Sequence, residues 1–240
     1  MASIWAADRA QRFYVGIALF ALTAIAVGFS TTYLIPMARR TFNAPVVVHV
    51  HGACAFMWMS LFLAQALLVR SGRTKLHMRV GQAGLPLALA IWFSGILTAA
   101  WAARRDFPSQ GQVAEASFVG TVSGLSLFLA FVAAGYAVRR RPAAHKRWMA
   151  LAAIAVLWPA IFRWRHLLPT MSRPDIILGL FVADLPILVA ILRDRLRYGL
   201  VHPVWLLGGT FWFVEQGFEV AVFDTMWSAP IGRALLAMLP

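Results

Sequence analysis

Long apolar stretches alternate along the chain with short polar connections, and this pattern predicts the helices. Several windows of about 18 residues or more contain few or no charges, which is typical of membrane-spanning helices. The connections are short and rich in Arg, Pro and Gly, as in "RSGRTKLHMR", "RRRPAAHKRW" and "RDRLRYGLVHP". The pattern predicts about seven spans, at 13–37, 46–69, 80–102, 115–138, 148–168, 175–196 and 203–225.

The composition indicates the same class of protein. Hydrophobic residues make up 61% of the chain and charged residues only 13%, whereas soluble domains carry about 25% charged residues. We therefore expect an all-α, polytopic membrane helical bundle that forms one domain over residues 1–240. The first apolar stretch is too long for a signal peptide and predicts a retained helix. The last residues, 227–240, are too few to cross a bilayer and predict a segment lying at the interface.

The distribution of basic residues predicts the orientation. With seven spans, the N-terminus and the loops after the second, fourth and sixth spans share one side and hold most of the 22 lysines and arginines, Arg9 among them. By the positive-inside rule, this side and the N-terminus are cytoplasmic. Basic loops beside anionic lipid headgroups also account for the net charge of +13, so no nucleic-acid partner is needed.

Two kinds of chemistry are excluded or disfavoured by the residues that carry them. The single cysteine, Cys54, lies within a predicted span, so no disulfide can form within the chain and we expect a core residue. A retinal Schiff base requires a lysine in the last span, but the only lysines, Lys75 and Lys146, lie in predicted loops. The protein is therefore not a retinal-binding opsin.

Histidines lie near both ends of the predicted bundle. His51 and His166 are expected at the outer side, whereas His77 and His145 are expected at the inner side. His49 precedes His51 by two residues, so the two imidazoles point about 200° apart on a helix and cannot share a ligand. The positions seven and fourteen residues after His51, Trp58 and Gln65, predict the inward face of the second span. His202 precedes Pro203 and is interpreted as a helix-start residue.

Ionisable residues also lie within the predicted spans, where they usually face the interior of a bundle and pair with one another. Asp184 lies near the middle of the sixth span, Glu215 and Glu219 lie one helical turn apart in the seventh, and Arg163 and Arg165 lie near the end of the fifth. In one interpretation the arginines neutralise two of the carboxylates and stabilise helix packing. In the other, this region holds a cofactor, a metal ion or protons.

Three kinds of ligand fit these residues. Imidazoles from two helices can ligate haem iron from both sides, and arginines can bind its propionates. The candidate axial ligands for haem b are an inner pair, His77 and His145, and an outer pair, His51 and His166, with Arg163 and Arg165 at a propionate or a quinone headgroup. A divalent metal at His51, His166, Glu215 and Glu219 is the alternative. Protons or cations at Asp184, Glu215 and Glu219 are a third.

Two resemblances bear on this choice. The segment "HGACAFMWMSLFLAQALLVRSGRTKLHMRVG" resembles the second and third helices of b-type transmembrane cytochromes that carry two haems, in which histidines open successive helices on opposite faces. The chain also resembles a poorly characterised bacterial membrane family, over its second, third and fifth spans. The positions that match are His51, Gly52, Gln65, His77, Gly81, His145, Arg147, Trp148, Met149 and Arg163. The fourth span has no histidine, unlike that of the two-haem cytochromes, so an outer haem would need His166.

Taken together, the residues and the resemblances favour a multi-pass protein of the bacterial inner membrane that carries haem b and passes electrons within or across the bilayer. Quinone or another redox protein is the expected partner. Two rival hypotheses remain: a haem-free protein of proton-coupled or cation-coupled transport or of metal binding, and a structural subunit of a membrane complex.

Overall fold

The computed structural model describes residues 12–239, without the side chains of residues 222–224. Arg9, which enters the orientation argument, and Pro240, the last residue of the predicted interfacial segment, lie outside the described residues. Between residues 12 and 239 the chain forms helices and no strand. The predicted all-α bundle is therefore confirmed.

Eight main helices follow one another along the chain. They are α1 (Arg12–Ala38), α2 (Val46–Arg70), α3 (Thr74–Gln110), α4 (Gln112–Ala137), α5 (Pro142–Ala155), α6 (Asp175–Tyr198), α7 (Pro203–Thr225) and α8 (Ala229–Ala237). The first seven lie over the seven predicted spans. Helix α3 contains a turn between Gly81 and Gly84, and π-helical turns occur in α1 at Ser30–Leu34 and in α6 at Asp175–Val182.

Five of these helices, α1, α2, α3, α4 and α6, are long and apolar enough to cross a membrane. Helix α5 is too short by itself, at 14 residues. Helix α7 has 23 residues, but Glu215, Gln216 and Glu219 make it more polar than the other spans. Over residues 12–239 the chain is thus a helical bundle with five clear candidate spans.

Helix α5 is interrupted where the sequence predicts one span over 148–168. It begins at Pro142, ends at Ala155, and is continued by a short helix at Trp158–Phe162 and a 3-10 turn at Arg163–His166. Pro159 explains the break, because proline has no N–H to donate to the carbonyl of residue 155. The basic stretch from Pro142 to Arg147 is helical as well. Hydropathy alone, which predicts a start at residue 148, therefore places the N-terminal end of this helix too late.

Helix α5 occupies the centre of the bundle. Its residues from Ala150 to Ala155 are all buried, as expected for a helix that is apolar on every side. Small residues let its neighbours approach closely: Gly28 of α1 packs directly on the backbone of Ala160, and Gly208 of α7 packs on the side chain of Leu151. Such close approach at glycine is typical of helix packing in membranes.

A buried ion pair joins α5 to α6. Arg147 donates to both carboxylate oxygens of Asp194, with Nε–Oδ2 and Nη2–Oδ1 distances of 3.0 Å. The two side chains are 0% and 1% exposed. The Nη1 group of Arg147 also donates to the carbonyl of Ala143 at 2.8 Å. The sequence did not predict this pair. Arg147 was identified only as a position that matches the family resemblance, and Asp194 was not identified.

The predicted interfacial segment contains helix α8, which packs on the start of α4. Arg233 forms a two-fold ion pair with Glu115, at 2.8 and 3.0 Å, and Gly232 lies directly against the Glu115 backbone. Arg104 of α3 donates to the carbonyls of Leu236 and Leu239, both at 2.8 Å, which satisfies the end of α8. Helix α8 is therefore held by specific contacts with the bundle.

Candidate functional site

The candidate cofactor residues lie at the two ends of the bundle. His145 and Arg163 are 18 residues apart along α5 and its continuation, which corresponds to about 27 Å at 1.5 Å per residue. One end carries His77 and His145 and is called the His77 end. The other carries His51, Arg163 and neighbouring residues and is called the His51 end.

At the His77 end, two predicted partners lie together. The imidazole rings of His77 and His145 have centroids 6.3 Å apart and ring planes at 83°. His145 Nδ1 lies 2.8 Å from the carbonyl oxygen of Gly135. A carbonyl can only accept, so Nδ1 carries the proton and, in the neutral ring, Nε2 has a free lone pair. His145 is thus oriented by α4 with its Nε2 available as a ligand.

Gln65 contacts the second imidazole of this pair. With its NH2 group turned toward His77, the Gln65 amide donates to His77 Nδ1 and, at 3.0 Å, to the His77 carbonyl. Its oxygen then accepts from the Gly81 N–H at 3.2 Å. Gln65, His77, Gly81 and His145 are all among the positions that resemble the bacterial membrane family, and the fold brings them to one place.

At the His51 end, the two histidines of α2 face different neighbours, as their spacing predicts. His49 Nδ1 lies 2.8 Å from the Tyr33 hydroxyl of α1. His51 Nδ1 lies 3.2 Å from Ser94 Oγ of α3. The Ser94 hydroxyl donates to the carbonyl of Ala90 at 2.5 Å, so its oxygen accepts from His51 Nδ1–H. His51 Nε2 is consequently the unprotonated nitrogen of the neutral ring.

The predicted inward face of α2 is confirmed by its neighbours in the fold. Trp58 is 1% exposed and its ring lies edge-on to Phe128, with centroids 5.1 Å apart. Phe62 and Cys54 are buried as well. The sequence stripe that begins at His51 therefore does face the interior.

Of the other predicted residues of the His51 end, Arg163 lies within electrostatic reach of His51, but no described hydrogen bond or ring contact joins it or Arg165 to that ring. His166 lies in the 3-10 turn, and no ring contact or hydrogen bond joins it to His51 in the part of the chain that the structure describes. Arg163 donates to the carbonyl of Pro159 at 2.6 Å and lies 4.4 Å from the Phe29 ring centroid. Arg165 donates to the carbonyl of Phe162 at 3.1 Å.

The expected neutralisation of the buried carboxylates by these arginines is not observed. No described Lys or Arg side chain forms an ion pair with Asp184, Glu215 or Glu219. The polar region predicted at this level of the bundle therefore divides into a basic part and an acidic part.

The acidic part is built on α7. The carboxyl groups of Glu215 and Glu219 pack against the same point of α4, where a Cβ at Gly124 would lie 3.2 Å from Glu219 Oε1 and 3.5 Å from Glu215 Oε1. Ser123 of α4 donates to Glu215 Oε1 at 2.5 Å, and the Gln216 amide donates to Glu215 Oε2 at 3.1 Å. The i, i+4 spacing predicted the pairing of the glutamates, whereas Ser123 and Gln216 were not identified from the sequence.

Asp184 lies close enough to Glu215 for electrostatic interaction. It is 1% exposed, and Trp212 Nε1 donates to its Oδ1 at 2.6 Å. Trp212 was not predicted as a partner. Its position one turn before Glu215 on α7 is the sequence signal that could have indicated it.

The residues of the alternative metal hypothesis are only partly together. Glu215 and Glu219 lie side by side against Gly124, while His51 bonds to Ser94 rather than to either glutamate. Over residues 12–239, no group of three or more His, Cys, Asp or Glu side chains is arranged to hold a metal ion.

Comparisons with protein-family models, curated proteins and solved structures find no match for this chain.

Proposed function

We propose that this protein is a redox protein of the bacterial inner membrane that binds haem b between His77 and His145. In this proposal the chain crosses the membrane seven times with its N-terminus in the cytoplasm, and it passes electrons to or from quinone or another redox protein.

The distance between the two imidazole rings carries the proposal. A metal ion lies about 2.0–2.1 Å from a ligating histidine nitrogen, and therefore about 3 Å from the ring centroid. Two histidines that ligate one ion from opposite sides thus have centroids about 6 Å apart. The rings of His77 and His145 are 6.3 Å apart, so this spacing would allow both to hold one iron ion.

The hydrogen bond of His145 supports the same function. Histidine ligands usually donate their second N–H to a carbonyl or carboxylate, which holds the ring in place and raises the basicity of the ligating nitrogen. His145 has this partner in the Gly135 carbonyl. His77 lacks this arrangement, because the Gln65 amide donates to its Nδ1 and the proton of the neutral ring is then on Nε2, so ligation through Nε2 would require the ring to lose that proton to Nδ1 and the Gln65 amide to turn.

Bound haem would supply one-electron transfer, and the residues of the chain would determine where this occurs. His77 and His145 would hold the iron at the His77 end. The seven-span topology is supported by α7, whose 23 residues extend about 34 Å and exceed a hydrocarbon core of about 30 Å. At the His51 end, His51 with its free Nε2, His166, Arg163 and Arg165 form the proposed contact region for a second cofactor or a quinone.

Absorption spectroscopy of the full chain tests the proposal. We expect protein purified in mild detergent from haem-replete cells to show a Soret band and sharp α-bands on reduction. The variants His77→Ala and His145→Ala are each expected to lose the haem that the pair binds. His49→Ala is the matched control, since His49 pairs with Tyr33 and takes no part in the proposed site.

A colourless wild-type protein with native helix content and full haem supply would contradict the proposal. Metal analysis of the same sample then distinguishes the rivals. A stoichiometric divalent ion lost in His77→Ala would indicate a metal protein, and the absence of both haem and metal would favour haem-free transport or a structural subunit.

A further inference from the structure

The Glu215–Glu219 contact imposes a constraint on protonation. Two carboxylates that pack against one glycine, as these do at Gly124, strongly disfavour ionising together in a low-dielectric site without a cation, since like charges so close repel each other. A hydrogen bond formed between the two carboxyl groups would need one proton, because an ionised carboxylate only accepts. Glu215 accepts from Ser123 and Gln216 as well, which favours it as the ionised member and Glu219 as the protonated one.

Helix α4 provides a groove for these side chains. A Cβ at Gly120 would lie 3.1 Å from Glu219 Cγ, and a Cβ at Gly124 would lie 3.2 Å from Glu219 Oε1 and 3.5 Å from Glu215 Oε1. The small-xxx-small spacing of Gly120 and Gly124 usually brings membrane helices close together. Here it also makes room for two carboxyl groups between α4 and α7.

Two further oxygen atoms at this place have no donor. The Gln216 side chain is 2% exposed, and its amide nitrogen is bound to Glu215, yet its Oε1 has no hydrogen-bond partner. Asp184 Oδ2 is likewise buried without a partner. A buried polar atom without a partner costs about 1–3 kcal/mol. Both oxygen atoms therefore indicate that protons or cations bind here and neutralise the carboxylates.

We propose that Glu215, Glu219 and Asp184 form a proton-binding site in the half of the bundle toward the His51 end. Glu215 and Glu219 share one proton in the Gly120–Gly124 groove, and Asp184 holds a second one. Ser123, Gln216 and Trp212 are positioning residues that donate to the carboxylates. Glu215, which is only partly buried, is the member through which protons enter and leave.

A proton fits this site better than a metal ion does. Both oxygens of Glu215 already accept hydrogen bonds, so a metal ion would have to compete with these donors, whereas a proton needs no additional volume. The site is about 18 Å along α7 from Pro203, away from the His77–His145 pair, and it does not depend on haem.

Infrared spectroscopy of the reconstituted full chain tests this site. Ordinary Asp and Glu ionise near pH 4, so a carbonyl band from protonated carboxyl groups at about pH 7 is expected only from a site such as this. We expect wild type to show the band, and Glu219→Gln and Asp184→Asn each to lose part of it. Glu115→Gln is the matched control, because the Glu115 carboxylate is paired with Arg233.

Several outcomes would overturn the proposal. These are the absence of a carboxylic-acid band in folded wild-type protein at pH 7, or a band that none of the Glu215, Glu219 and Asp184 variants changes. Loss of the wild-type band on titration with Na⁺, K⁺ or Ca²⁺ at constant pH would assign the site to a metal cation instead. If the variants do not fold, the wild-type titration decides alone. His77→Ala is expected to retain the band, which separates this test from that of the haem proposal.

Discussion

Replacing Asp194 by Asn removes the charge that compensates Arg147 in the interior and that also pairs with Arg193, whose Nη1 lies 3.4 Å from Asp194 Oδ1. The pair has two-fold geometry at 3.0 Å, and both side chains are excluded from solvent. Breaking a buried ion pair by removing one partner costs about 3–5 kcal/mol, mainly because the other charge stays buried. Asparagine retains one acceptor oxygen, so we expect the lower end of this range, about 3 kcal/mol.

An exposed pair in the same molecule provides the control. Arg105 and Asp106 are 2.7 Å apart, with side chains 52% and 31% exposed. Exposed pairs contribute about 0–1 kcal/mol, so Asp106→Asn should change stability by less than about 1 kcal/mol. Both variants can be compared by equilibrium unfolding in mixed detergent micelles, followed by circular dichroism.

A double variant separates the cost of an unpaired charge from the value of the pair. Replacing a buried pair by apolar residues of similar volume is often neutral or stabilising. Arg193 also loses Asp194 in this variant, but its side chain is 16% exposed and keeps access to water. We therefore expect Arg147→Met with Asp194→Leu to recover most of the loss seen in Asp194→Asn. If Asp194→Asn proved no less stable than Asp106→Asn, the account of this ion pair would be wrong.

Two further predictions concern the glycine under α8 and the histidine before α7. Gly232→Ala places a Cβ on the Glu115 carbonyl, so we expect the free energy of unfolding to fall by about 1–3 kcal/mol and hydrogen exchange in α8 to become faster. Gly217→Ala is the control, because a Cβ there has no atom within 4 Å, and it should cause neither effect. Equal effects of the two variants would contradict the close packing. Burial, reinforced by the charges of Arg147 and Lys146, lowers the pKa of His202 to about 4. The unfolded chain then binds a proton that the folded chain does not, so stability should fall as the pH drops from about 6.5 to about 4, and His202→Asn should reduce that slope in unfolding experiments at several pH values.

The helices were predictable because their length and apolar character are local properties of the chain. The segment 46–69, for example, corresponds to Val46–Arg70. The break after α5 was harder to predict from the sequence, because Pro159 lies in an apolar run that hydropathy treats as continuous. Helix α3 extends from Thr74 to Gln110, beyond the predicted 80–102, since helical hydrogen bonding continues through polar residues at the membrane edges.

The candidate sites were predictable to different degrees. The pairing of His77 with His145 followed from the level that each residue occupies, and the contact between Glu215 and Glu219 followed from their spacing on one helix. Their partners were not predictable in this way. Gly135 and Ser123 reach the two sites from α4, and neither has a sequence signal that distinguishes it from other small residues in that helix.

The sequence by itself determined which segments are apolar enough to be membrane helices and at which level each polar residue lies, because level depends only on the number of residues from the helix end. The tertiary structure decided which polar groups meet. It paired Arg147 with Asp194, placed Arg163 and Arg165 on backbone carbonyls, and left Asp184, Glu215 and Glu219 without a described basic partner. These contacts depend on how each helix is rotated about its axis and on which helices lie beside it. Both are set by side-chain packing across the whole bundle, so the sequence of a single segment does not determine them.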